Sequence, residues 1–123
     1  LDIEWHKMNY AKDIDVAKFE RAVARRLGLP EEIQFRYRSS YFKHIFGSDQ
    51  YAAGYYTYLW AEVLSSDAAS LFKEKGMYDQ EAAKSYLQNI LEAGDSEDAM
   101  TLFKRFRGRE PQVDALLKDR GLK

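Results

Sequence analysis

Apolar residues recur along this chain at spacings of three and four, the period of helices that bury one face. Val16, Phe19, Val23 and Leu27 make one such stripe, with Asp13 or Asp15 available as cap and Gly28 just past the end. A short helix over Tyr41–Phe46 follows, capped by Ser39 or Ser40, and then a loop, Gly47-Ser48-Asp49-Gln50. The pattern next predicts a long helix from Tyr51 to about Leu64 and a fresh start at Ser65-Ser66-Asp67, carrying Leu71 and Phe72 to Gly76. Asp79 can cap a helix with Ala83, Tyr86, Leu87, Ile90 and Leu91 facing inward, ending before Gly94. Ser96 can cap another, with Met100, Leu102, Phe103 and Phe106 inward and Gly108 after it. Pro111 suits a first helical position ahead of Val113, Leu116 and Leu117. No stretch alternates with period two. The expected fold is all-α, a compact multi-helix array with short connections.

Leu1–Met8 reads as the last turns of a helix begun upstream, without initiator Met or cap. The expectation is that residues 1–123 are one helical fragment of a larger chain.

Composition narrows the function classes. The 123 residues carry 19 Lys+Arg against 20 Asp+Glu, so there is none of the basic excess of a nucleic-acid or membrane-surface binder. No cysteine is present, which removes disulfides and thiolate zinc sites and is compatible with a reducing compartment; cytoplasmic location is the expectation. No apolar run approaches the roughly 20 residues of a membrane span, and no signal peptide is seen.

The candidate chemistry lies in Tyr51-Ala-Ala-Gly-Tyr55-Tyr56-Thr-Tyr58-Leu-Trp60, shortly after His44. Were Tyr51 to Leu64 one helix, Tyr51, Tyr55, Tyr58 and Glu62 would share a stripe within about 60° of arc. Leu59, Val63 and Trp60 would occupy a separate, core-facing side. Buried phenols each need a hydrogen-bond partner, so three in a row suit a cleft better than a core. A row of phenols can hold a polar ligand or donate to an oxyanion. The plain alternative is that they pack at a core edge with wet tips. His44 stands open between a structural and a catalytic role, and His6, beside Trp5, reads as packing. With two histidines 38 positions apart, the chain has no His-Glu-x-x-His zinc motif. Nucleophile and phosphate-loop motifs are absent too. Arg36-Tyr-Arg38 and Lys104-Arg-Phe-Arg107-Gly-Arg109 read as solvated faces and helix-end charges rather than anion sites.

The string Arg36-Tyr-Arg-Ser-Ser-Tyr-Phe-Lys-His44-Ile-Phe-Gly47, followed by Tyr51-Ala-Ala-Gly-Tyr-Tyr-Thr-Tyr-Leu-Trp-Ala-Glu-Val-Leu64, resembles the C-terminal part of the zinc oligopeptidases. This is the family of thimet oligopeptidase, oligopeptidase A and peptidyl-dipeptidase (dipeptidyl carboxypeptidase). The likeness continues in Gly94-Asp-Ser-Glu-Asp98, in Phe106-Arg-Gly-Arg-Glu-Pro111 and in the closing Ala115–Leu122, and so covers essentially the whole chain. The Tyr-Ala-Ala-Gly-Tyr-Tyr form leans towards the bacterial peptidyl-dipeptidases.

The resemblance implies a helical, zincin-type catalytic domain with a channel for short peptides. It also implies zinc held by a His-Glu-x-x-His helix and a Glu, all upstream of Leu1, so that no metal is expected on this chain. Carried over by position, His44, Tyr51 and Tyr58 match contacts to substrate and transition state, with Tyr58 the main oxyanion donor, and Tyr55 matches a further pocket tyrosine. The chain alone is expected to be inactive. Short peptides and the rest of its own catalytic domain are the expected partners, with no nucleic acid and no membrane. One departure is visible: the loop between His44 and Tyr51 keeps only Gly47, where the family pattern is shorter and richer in glycine. A reading of another class stays beside this one, a non-catalytic helical module that binds a peptide or partner helix in a tyrosine-lined groove.

Overall fold

A computed structural model describes residues 1–9 and 13–123. All regular structure among them is helical, as the periodicity requires, and no strand occurs among the described residues. The chain divides into two compact units, Leu1–Thr57 and Tyr58–Lys123.

The first unit contains α1 (Asp2–His6), α2 (Val16–Arg26), a 3-10 turn (Ser39–Tyr41), α3 (Lys43–Phe46) and a second 3-10 turn (Asp49–Tyr51). Asp15 caps α2, its carboxylate accepting the Lys18 N–H at 3.0 Å. Val23, Phe42 and Ile45 are buried. Aromatic rings tie the short elements together. Trp5 lies 4.1 Å from Phe19 and 6.0 Å from Phe46, and Phe42 stacks on Tyr37 at 5.0 Å. The Trp5 indole N–H donates to Ser39 Oγ at 2.7 Å. Buried Glu20 accepts the Ser39 N–H at 2.6 Å and Arg38 Nε at 2.5 Å, fastening the 3-10 turn to α2. In the Arg36-Tyr-Arg38 cluster both arginines are exposed, as a solvated cluster would be, but Arg38 is paired with Glu20 and Arg36 stands 5.2 Å over the Tyr37 ring.

The second unit contains nearly all of α4 (Thr57–Lys75), then α5 (Gln80–Tyr86), a π-helical turn (Leu87–Leu91), α6 (Ala99–Arg107) and α7 (Asp114–Asp119). Asp79 caps α5 as its position predicts, accepting the Ala82 N–H at 2.8 Å. The cap of α6 is Asp98 rather than Ser96, accepting the Thr101 N–H at 2.9 Å. Either type of cap contributes about 1 kcal/mol. Gly108 ends α6 in the left-handed region at φ 80°. Leu71, Ala82 and Phe106 form a core on which Ala68, Phe72, Tyr86 and Ile90 pack. Leu102, Phe103 and Leu116 are also buried.

Several expectations are corrected here. The inward positions run i, i+4 along one face, starting one residue earlier than the expected Ala83. Ala82, Tyr86 and Ile90 face the core, while Ala83, Leu87 and Leu91 are exposed. Pro111 precedes α7 instead of opening it. Ser65-Ser66-Asp67 does not begin a helix either; α4 runs through it unbroken. Asp67 is spent differently, as an acceptor at the centre of a buried cluster. Its oxygens take Arg107 Nε at 3.1 Å, Arg109 Nη1 and Nη2 at 2.7 and 2.5 Å, and the Gln112 N–H at 2.8 Å. Arg107 also reaches Ser70 Oγ and Glu74. The second basic cluster is thus divided: Arg107 and Arg109 turn inward, while Lys104 and Arg105 stay exposed as a solvated face would. Arg107 and Arg109 hold Asp67, Arg105 pairs in a fork with Glu97, and Lys104 pairs with Glu110. Burial alone would raise the Asp67 pKa, but the Arg109 guanidinium, the Gln112 N–H and Arg107 outweigh it and hold the carboxyl down at about 2.

Candidate functional site

The tyrosines do not form a helical stripe. Tyr51 ends a 3-10 turn, residues 52–56 are irregular turns, and only Tyr58 lies on α4. Ala53 adopts φ 57°, outside the right-handed region, and Gly54 follows it. Successive turns then close, with the Gly54 N–H donating to Tyr51 O and the Thr57 N–H donating to Gly54 O, both at 3.1 Å. Glu62, expected beside the phenols, is paired with Arg120 at 2.5 Å. Leu59 and Trp60, expected on a core face, are exposed.

The structure nevertheless gathers three of the four predicted residues. The His44 ring, on α3, lies 4.7 Å from the Tyr51 ring and meets the Tyr55 ring edge-on at 5.3 Å. Tyr55 in turn meets buried Phe42 edge-on at 5.0 Å, which seats the cluster on the core of the first unit. The tight loop after α3 depends on Gly47. A Cβ there would come within 2.7 Å of the Lys43 carbonyl oxygen.

Two open hollows flank the cluster. One, of about 460 Å³, is lined by Lys43, His44, Gly47, Ser48 and Tyr51. The other, of about 310 Å³, is mostly apolar and has Tyr55 on its wall with Phe42, Tyr37 and Arg36. Tyr51 is 47% exposed, so its phenol is reachable from solvent. Tyr58 belongs to the second unit, near the start of α4, and is 55% exposed. Phenol O–H groups donate hydrogen bonds at neutral pH. An imidazole set between two such rings offers a further donor or acceptor.

Among the described residues no three His, Asp or Glu side chains are grouped as a metal ion would need. His6 Nδ1 is engaged by Asp2 at 2.7 Å, and His44 is packed between tyrosines. The described residues do not fit a zinc site. No helix among the described residues is long and apolar enough to cross a membrane.

Sequence reasoning missed two carboxylates that hold these elements. Asp2, in α1, binds the tyrosine turn, and nothing local to Asp2 signals it. Asp67 carried a signal: it lies one helical turn before Leu71, on the buried side of α4.

A model of peptidase family M3 matches residues 1–122, and the chain belongs to that family. Oligopeptidase A of Escherichia coli is 58% identical over 82 residues, covering 67% of this chain and 12% of that protein. Dipeptidyl carboxypeptidase of Salmonella typhimurium is 43% identical over 125 aligned positions, covering 99% of this chain and 18% of that protein. Saccharolysin of Saccharomyces cerevisiae is 42% identical over 81 residues, or 66% of this chain and 11% of its own length. The chain therefore spans less than a fifth of these relatives.

Proposed function

We propose that this chain is the substrate-facing helical part of a cytoplasmic zinc metallopeptidase that hydrolyses short peptides, of the oligopeptidase or dipeptidyl carboxypeptidase kind. The zinc ligands are supplied by another part of the full-length protein, and the 123 residues alone cleave nothing. The observation that carries this reading is the His44–Tyr51–Tyr55 ring cluster, bordered by open hollows, inside a chain matched along its length to family M3.

Each residue has a role suited to its chemistry. His44 and Tyr51 contact the peptide backbone, and Tyr55 lines the pocket. Tyr58 donates its phenolic hydrogen to the oxyanion that forms on the scissile carbonyl. The interaction strengthens as charge develops on that oxygen, so it favours the transition state over the bound peptide.

The test is Tyr58→Phe in the full-length enzyme, assayed on a short internally quenched peptide. Loss of one oxyanion donor lowers turnover on the order of 100- to 1000-fold, with little change in peptide affinity. Wild-type turnover in the variant would remove Tyr58 from this role. A full-length protein that binds short peptides and cleaves none would instead be the non-catalytic binding module.

A further inference from the structure

We propose that Asp2 and His6, both on α1, are positioning residues for the tyrosine turn; this rests on the reading that His44, Tyr51 and Tyr55 contact the peptide. The turn over residues 52–56 sends two backbone N–H groups to a single carboxylate. Ala53 N–H donates to Asp2 Oδ1 at 3.0 Å, and Tyr55 N–H donates to Asp2 Oδ2 at 2.8 Å. These bonds cross 51 and 53 positions of sequence. Asp2 is buried, at 6% exposed, so water competes little for its oxygens. Hydrogen bonds to a charged acceptor are roughly twice as strong as neutral ones.

His6 completes the grip. Its Nδ1 lies 2.7 Å from Asp2 Oδ1 and 3.1 Å from the Asp2 carbonyl oxygen. Both oxygens only accept, so Nδ1 carries a hydrogen and donates. The Ala53 N–H, 3.3 Å from the same nitrogen, is thereby left to the carboxylate. The His6 ring also packs 5.7 Å from Phe46, at the end of the helix that bears His44. One short helix thus holds both elements of the ring cluster, the turn through Asp2 and α3 through His6 and Trp5.

The turn is one that needs holding. Ala53 has φ 57°, a region that residues with a Cβ visit infrequently. The carboxylate fixes the backbone on either side of Gly54, and with it the direction in which Tyr55 leaves the chain. Both of these bonds are made to backbone N–H groups rather than to substrate-facing side chains.

The experiment uses the full-length protein with Asp2→Ala and Asp2→Asn. Three quantities are read: cleavage of a quenched short peptide, amide hydrogen exchange over residues 49–58, and the thermal midpoint. Asp2→Ala is expected to speed exchange at Ala53 and Tyr55 by about tenfold or more. It is also expected to lower kcat on the order of 100-fold with KM little changed, the effect of a displaced contact. Asp2→Asn keeps one acceptor oxygen and is expected to fall between Ala and wild type in both readouts. Faster exchange confined to this turn and lower kcat, with the thermal midpoint of Asp2→Asn near wild type, is what a purely structural loss would not give. It also decides the matter should the Ala variant fail to fold.

Wild-type exchange at Ala53 and Tyr55 in either variant would overturn the proposal. So would faster exchange with unchanged kcat, which would make the contact structural only. Wild-type turnover in Tyr58→Phe and Tyr55→Phe, together with faster exchange in Asp2→Ala, would sink the peptidase reading while leaving the hold of Asp2 on the turn standing.

Discussion

Asp67→Asn keeps the shape of the side chain and removes its charge, and it isolates the cluster that ties the 107–112 segment to α4. The aspartate is 1% exposed and its two oxygens accept from Arg107, twice from Arg109, and from the Gln112 N–H. Asn offers one acceptor oxygen and turns an NH2 group towards the remaining donors. Removing one partner of a buried pair typically costs about 3–5 kcal/mol, because the stranded charges remain. The titration of Asp67 gives a separate measure. Its carboxyl is held at about 2 against an ordinary 3.8, a gap worth about 2 kcal/mol. A loss of about 3 kcal/mol is consistent with both. It would appear as exchange on the order of 100-fold faster at the α6 amides at pH 7.

The pH dependence follows from the direction of the shift. The folded carboxyl titrates below its unfolded counterpart, so its contribution is complete above about pH 4. It is lost as pH falls from 3.8 through about 2. Thermal midpoints of wild type and Asp67→Asn should differ at pH 7 and converge over that window. A variant within about 0.5 kcal/mol of wild type at pH 7 would refute the argument. A difference that persists undiminished at pH 2 would do the same.

Two further substitutions probe the second unit. Phe106→Ala empties the centre of the Leu71–Ala82 core and should cost about 3–5 kcal/mol, read as a lowered urea midpoint; a loss under 1 would mean the neighbours collapse into the space. Gly108→Ala places a Cβ in open space but at φ 80°, so only backbone strain of about 1–2 kcal/mol is expected, and a markedly larger loss of thermal stability would point to a contact that the geometry does not contain.

Much of the helical content was legible because it is local. The α2 stripe with its Asp15 cap, the Asp79 cap, and the buried positions Leu102, Phe103 and Phe106 all follow from neighbours three or four residues apart. The same reasoning failed at 51–56, where the i, i+4, i+7 spacing of the tyrosines imitates a helix that does not form. It failed again at Asp67, where a capping residue by type became the acceptor of a buried arginine cluster.

By itself, the sequence determined an all-α chain, the residue types of the candidate site and, through its motifs, the family. Only the tertiary structure decided which residues meet. His44 sits against both Tyr51 and Tyr55, and the backbone bend at Ala53 between those two tyrosines is bonded to a carboxylate 51 positions away. Helical periodicity records contacts within a turn or two of the chain. A hydrogen bond across fifty residues leaves no period to read, and its energy exceeds the small local preference that would otherwise have continued the helix.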